Sequence, residues 1–136
     1  MSRKLTEEGA VMMNEIRTIE MMEGILEEIN ETGGIEASAV ASRDGLLICS
    51  TLIDQKLAEV LVAMSATMIG AAETASIELG KGIPDVTLVE SKNGKIIGIG
   101  AGPKALLLVM TRPEAGLGLV LIEMKKASEK IKLIMG

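Results

Sequence analysis

The sequence predicts an α/β domain of the α+β kind, a five-stranded, mainly antiparallel sheet with three helices in the order α-β-β-α-β-β-β-α. Three observations predict it. Long segments repeat apolar residues every three or four positions, as a helix with one buried face requires. Short apolar runs of strand length lie between them. The turn pairs Asp44-Gly45, Asn93-Gly94 and Gly102-Pro103 punctuate those runs, because Gly and Asp or Asn accept the backbone angles of tight turns.

In the first helix, over 12–30, Met12, Ile16, Ile19, Met22, Leu26 and Ile29 form one stripe, and Glu15, Arg17, Glu20, Glu23, Glu27 and Glu28 lie off it. Gly33-Gly34 ends it. It starts at Thr6 or only at Asn14, and Gly9 weakens the early part. Residues 1–13 are therefore expected to be an N-terminal extension, flexible or helical, ahead of a domain over 14–136. Residues 35–42 and 46–50 read as two strands around the Arg43-Asp44-Gly45 turn. Asp54 is an N-cap for a second helix over 55–79, which Gly80 and Gly82 end. Pro84 opens a third strand over 85–91, and Asn93-Gly94 turns the chain into a fourth, KIIGIGA. Gly102-Pro103 turns it into a fifth at 105–111. After a loop or helix start at 112–118, the last helix runs to about Ile134. It places Leu117, Val120, Leu121, Met124, Ala127 and Ile131 on one face. The fourth and fifth strands are apolar almost throughout, as expected where helices cover both faces of a sheet.

A chain of 136 residues suits one domain. Its 48% hydrophobic content is high for so small a domain, so part of its surface is expected to be buried against a partner. There is no Phe, Tyr or Trp to stack on bases, and the net charge of −5 repels phosphate, which argues against nucleic acid. With no His and one Cys, the common zinc and catalytic sites lose most of their ligands. No metal, cofactor or enzymatic activity is expected. A single Cys fits a reducing compartment, and Cys49 reads as a buried structural thiol. Glu7, Glu8 and Glu15 stand where a secretory signal would be apolar. Glu59 interrupts the longest apolar run, so the expectation is a cytoplasmic protein without membrane insertion.

The second helix is unusual. On a wheel of 100° per residue, Leu57, Leu61, Met64, Met68, Ala72, Ala75 and Leu79 cluster as the expected core stripe. The opposite side should be charged, yet it holds Ala63, Ala66, Thr67, Gly70, Thr74 and Ile77, with Glu59 and Glu73 near its edge. Gly70 costs about 1 kcal/mol of helix stability relative to Ala, which calls for a compensating contact. Small residues spaced four apart let two helix backbones approach closely. The reading is a helix that packs on its own sheet and on a second copy. The third strand, with Val86, Thr87, Leu88 and Val89, would be an aggregation risk as a bare edge and would be covered by pairing with its symmetry mate.

GIGAGPK at 98–104 resembles a phosphate loop but fails it. Pro103 stands where the second Gly is needed, Ala105 follows Lys104, and no helix follows. These glycines are expected to serve a turn and close packing.

The stretches GIEASAVASRDGLLI, LAEVLVAMSATMIGAAETASIELG, VTLVESKNGKIIGIG and ALLLVMTRPEAGLGLVLIEMKKASEKI, in that order, resemble the Roadblock family. That family includes dynein roadblock-type light chains and MglB-like regulators of Ras-like GTPases, and the likeness is to its stand-alone prokaryotic or archaeal members. The resemblance implies that the second helix covers one face of the sheet and the first and last helices the other. It implies a homodimer through the second helix and third strand, at Ala63, Ala66, Thr67, Gly70, Thr74 and Val86 to Val89, and no catalytic activity. The expected function is an adaptor that binds a Ras-like small GTPase and modulates its nucleotide cycle. The alternatives are an assembly module without GTPase binding and a small-molecule sensor domain.

Overall fold

The computed structural model describes residues 2–136, with side chains from Thr6 onward. Met1, the first residue of the expected extension, lies outside the described residues. The elements are α1 (Ser2–Ile29), β1 (Ile35–Ser42), β2 (Leu47–Ser50), α2 (Gln55–Glu78), β3 (Thr87–Ser91), β4 (Gly94–Gly100), β5 (Ala105–Thr111) and α3 (Leu117–Met135). The strands form one antiparallel sheet in the spatial order β2-β1-β5-β4-β3. The predicted α-β-β-α-β-β-β-α order and five strands are what is found.

Strand alternation divides the core in two. Val40, Ile97, Ile99, Leu107 and Val109 point to the face covered by α1 and α3, where they meet Met22, Leu26, Val120, Met124 and Ile131. Ala39, Ala41, Leu106 and Leu108 point to the other face and meet Leu61, Val62 and Ile69 of α2. β5 is buried from Ala105 to Val109 because it lies between both layers. Cys49 sits within the α1–α3 side of the core, as expected of a structural thiol.

The turns set the register. In the first hairpin the Gly45 N–H donates to the Ser42 carbonyl at 3.1 Å, and Gly45 takes φ +88°, a type I turn closed by a glycine in the left-handed region. The second hairpin differs from expectation by one residue. Ser91 pairs with Gly94, so Lys92-Asn93 make the turn and Gly94 opens β4. Gly94 takes φ +139°, and a Cβ there would collide with the Thr111 carbonyl of the neighbouring strand. The position needs glycine for the strand pair rather than for the turn.

Asp54 caps α2 as read, its Oδ1 accepting from the N–H groups of Lys56 at 2.9 Å and Leu57 at 3.3 Å. Asn30, Ser38 and Thr51 tie the end of α1 to β1 and the segment after β2. Ser38 Oγ donates to Asn30 Oδ1 at 2.7 Å, and Asn30 Nδ2 donates to Thr51 Oγ1 at 2.9 Å.

The core stripe expected on α2 is corrected. The buried residues are Ala58, Leu61, Val62, Ser65 and Ile69, while Leu57, Met64 and Leu79 are 55%, 62% and 77% exposed. The reason is the sheet beneath. Ala39, Ala41 and Gly98 leave it low on this side, so the helix sits close and Leu61, Val62 and Ile69 reach into the space above them. A Cβ on Gly98 would meet Ile69 Cδ1 at 2.6 Å. A wheel centred on the largest residues could not register that. By length and composition α2 is also apolar enough to cross a membrane. Here it lies along the sheet, and its apolar residues are divided between two sides.

α1 and α3 run antiparallel, with Ile29 beside Glu123 and Ala127 and Met21 beside Leu133. α3 therefore ends level with Met21, and the earlier part of α1 runs on past it. Residues 6–17 are exposed throughout.

Candidate functional site

The side of α2 turned away from the sheet carries Val60, Met64, Thr67, Gly70, Ala71, Thr74 and Ile77, all exposed. From Val60 to Ile77 this side has no charged residue, since Glu73 turns back to the hairpin, its Oε1 3.2 Å from Arg43 Nη1. Arg43 also donates from Nη2 to the Gly102 carbonyl at 2.8 Å, so it fastens the first hairpin to both α2 and the β4–β5 turn.

Two details make the outward side drier than its composition implies. The Thr67 hydroxyl donates to the Ala63 carbonyl at 3.0 Å, and the Thr74 hydroxyl donates to the Gly70 carbonyl at 3.0 Å. Both hydroxyl donors are therefore used within the helix. Gly70 has open space beyond it, and among the described residues nothing other than its chain neighbours and its own helix backbone lies within 4 Å of where a Cβ would sit. No contact within the subunit requires a glycine there, although glycine weakens a helix interior by about 1 kcal/mol relative to alanine.

The sheet has two open edges, β2 and β3, and β3 pairs only with β4. Thr87 and Val89 pair with Gly98 and Ile96 and so share the α2 side of the sheet, whereas Leu88 and Glu90 face the other way. Leu88 and Val89 are each 41% exposed.

The structure brings Thr67, Gly70, Thr74 and Ile77 together on the outward side, with Thr87, Leu88 and Val89 on the edge strand. It does not bring Ala63, Ala66 and Val86 fully to the same surface. Ala66 is half-buried in the α2–sheet core, and Ala63 and Ala66 both lie under Gly45 of the first hairpin. Val86 precedes β3 and packs into the α1–α3 core. Conversely, Val60, Met64 and Leu57 belong to the exposed surface, where the wheel had assigned Leu57 and Met64 to the core. The Ala- and Ser-rich first strand was the signal that could have located them, because a low sheet lets α2 approach closely and changes which of its sides is buried.

Cys49 is buried, with its thiol pushed up to about 11, first by loss of water and second by the nearby Glu23 carboxylate. Such a thiol stays protonated and is a poor nucleophile or metal ligand. Among the described residues no three His, Cys, Asp or Glu side chains converge as a metal site would need. The glycines of the phosphate-loop look-alike serve packing and turning, as expected. Gly98 admits Ile69, Gly100 lies against the Arg43 guanidinium, and Gly102 turns the chain at φ +84°.

The model of the Roadblock/LC7 domain matches residues 21–111. Two uncharacterised proteins of Methanocaldococcus jannaschii, MJ1340 and MJ0310, are 41% and 40% identical over 112 residues, which is 82% of this chain and 97% of each relative. Among solved structures, a Roadblock/LC7 domain from Streptomyces avermitilis superposes with a TM-score of 0.78 at 18% identity, over 82% of this chain and 94% of that one. MglB of Myxococcus xanthus does so with a TM-score of 0.78 at 19% identity, over 86% and 89% of the two chains. At these identities the superpositions speak for the fold.

Proposed function

The chain belongs to the Roadblock/LC7 family, and from that premise we propose that it is a non-catalytic homodimeric adaptor whose paired α2 helices receive a Ras-like small GTPase and modulate its nucleotide cycle. The observation that carries the reading is the outward side of α2, free of charge from Val60 to Ile77, with β3 an open edge of the sheet that α2 covers. A helix exposed to water is normally charged there. A self-complementary patch of this kind suits a two-fold contact. Thr67, Gly70 and Thr74 give a low, dry surface for a second α2, and β3 can add its twin edge to edge, which removes the exposed strand. The same pairing accounts for the high apolar content without a membrane, in keeping with a cytoplasmic protein.

The GTPase enters through the family resemblance, and it is tested directly. Tagged protein is mixed with Ras-like GTPases from the same source cell, loaded with GDP or with a non-hydrolysable GTP analogue. Recovery of a GTPase in one nucleotide state, with an altered hydrolysis rate, supports the adaptor. Loss of that recovery in Thr67→Glu places it on α2. Capture of other proteins irrespective of nucleotide, with hydrolysis unchanged, would replace the GTPase reading with that of an assembly module.

A further inference from the structure

Two bare helix surfaces lie on the opposite side of the sheet from α2, and their charges are opposite. The first is the part of α1 that runs past the end of α3. Residues 2–20 match the 19 residues of α3 in length, roughly 28 Å at 1.5 Å per residue. Met12, Ile16 and Ile19 on this overhang are 62%, 45% and 37% exposed. At 100° per residue they form one stripe, about 90° round the helix from the buried Met22 and turned away from the side that meets α3 at Met21 and Ile25. Glu8 and Glu15 border the stripe on one side, Met13 and Glu20 on the other.

The second surface is the outer side of α3. Leu119, Ile122 and Leu133 are 56%, 53% and 85% exposed, and with Lys126 they make a stripe opposite the buried Met124. Lys125 and Lys132 border it on one side. Glu123 and Lys130 border it on the other, where they already meet Lys126 and Glu28. Among the described residues, Glu8, Glu15, Lys125 and Lys132 have no ion-pair partner. The two glutamates stand seven residues apart, and so do the two lysines.

We propose that the α1 overhang of one copy of this chain packs antiparallel on the outer side of α3 of a second copy. Met12 then lies against the Lys126 stem, Ile16 against Ile122 and Ile19 against Leu119, as facing positions of a two-helix seam. The same register sets Glu15 beside Lys125 and Glu8 beside Lys132, and it lets the overhang span α3 from end to end. A parallel arrangement would turn the glutamates toward Glu123 instead. Charge selects the occupant. Two overhangs would set glutamate against glutamate and two α3 surfaces lysine against lysine, so each stripe refuses its own kind and accepts the other. The contact is head-to-tail. Each copy gives an overhang to one neighbour and receives one on its α3, so the association is open-ended unless a ring closes. It does not depend on the α2 surface.

The test uses the full chain in multi-angle light scattering after sizing chromatography, up to about 100 µM, where contacts of micromolar affinity are populated. The parent carries Gly70→Leu to block α2, and its mass should rise with concentration. One variant adds Met12→Glu with Ile16→Glu, the other Leu119→Glu with Ile122→Glu. All these positions are exposed, and far-UV circular dichroism verifies folding. Each variant alone should run as single chains. Their equimolar mixture should give a two-chain species, because one supplies an intact overhang and the other an intact α3. If Gly70→Leu leaves pairs, the variants run as pairs and their mixture as something larger, so failure of the α2 reading is told apart from failure of this one. Glu8→Lys with Glu15→Lys in the parent should weaken the association about 10-fold, and adding Lys125→Glu with Lys132→Glu should restore most of it. A parent whose mass is independent of concentration, a mixture no heavier than its components, or no rescue by the charge exchange would overturn the proposal.

Discussion

The carbonyl oxygen of Thr111 occupies the place a Cβ on Gly94 would take. The two residues lie on paired strands at the point where the second hairpin enters β4, with Lys95 opposite Thr111 in the register. The backbone of β5 therefore dictates a glycine on β4. Gly94→Ala is expected to destabilise the domain by about 3 kcal/mol, from strain at φ +139° and displaced backbone. Gly98→Ala should cost only about 1 kcal/mol, because the atom it meets is the far end of the Ile69 side chain. Urea unfolding monitored by circular dichroism separates the two, and equal costs would refute the distinction.

Gly70 gives opposite predictions for the chain and for its pairing. Gly70→Ala should raise helix stability by about 1 kcal/mol within one subunit, since no contact is lost there. Gly70→Leu should hold paired α2 helices apart and weaken self-association through that surface. Denaturation run at low and high protein concentration reads both effects. A Gly70→Leu chain whose stability keeps the same dependence on protein concentration would show that α2 is not the contact.

Arg43 and Gly100 should be coupled. The guanidinium fills the space beside Gly100, with Nη2 at 2.6 Å from a would-be Cβ. Gly100→Ala alone must push Arg43 off Glu73 and the Gly102 carbonyl, at a cost of about 1 kcal/mol. In an Arg43→Ala chain the same change should cost markedly less. A double-mutant cycle measures the difference, and strict additivity would mean that the clamp contributes nothing.

Cys49 makes a pH prediction. Its folded pKa is raised from 9.0 to about 11, first by burial and then by Glu23. The folded state therefore favours the protonated thiol. Its contribution to stability is complete below pH 9 and is lost as pH rises toward 11, because the unfolded chain ionises first. Cys49→Ala should lose that part of the alkaline slope. Iodoacetamide should label Cys49 slowly at pH 8 in the folded protein and readily in urea.

The order of elements was legible because each boundary rests on local chemistry. Asp54 caps, Gly45 turns and Gly80 stops a helix whatever the tertiary context. The orientation of α2 was less legible. Its two sides differ little in hydrophobicity, so the largest side chains drew the wheel toward Leu57 and Met64. What settles the orientation is the low sheet surface made by Ala39, Ala41 and Gly98, a property of three strands brought together by folding. Thr67, Gly70 and Thr74 are exposed on the side the wheel turned away from the sheet, while Ala63 and Ala66 are half-buried beneath the first hairpin. Val86 shares its apolar character with Leu88 and Val89, yet one packs in the core and the others reach the edge. Only the start of the strand pairing separates them.

The inward-turned hydroxyls of Thr67 and Thr74 bear on selectivity. A surface that shows a partner mainly methyl groups and a glycine notch offers few polar tokens by which a wrong chain can be refused. Discrimination must then come from contour, and from the few ionic residues at the two ends of the helix, Lys56, Glu59 and Glu78. Closely related chains with the same contour would meet little to turn them away, and control over mixed pairs would fall to those terminal charges.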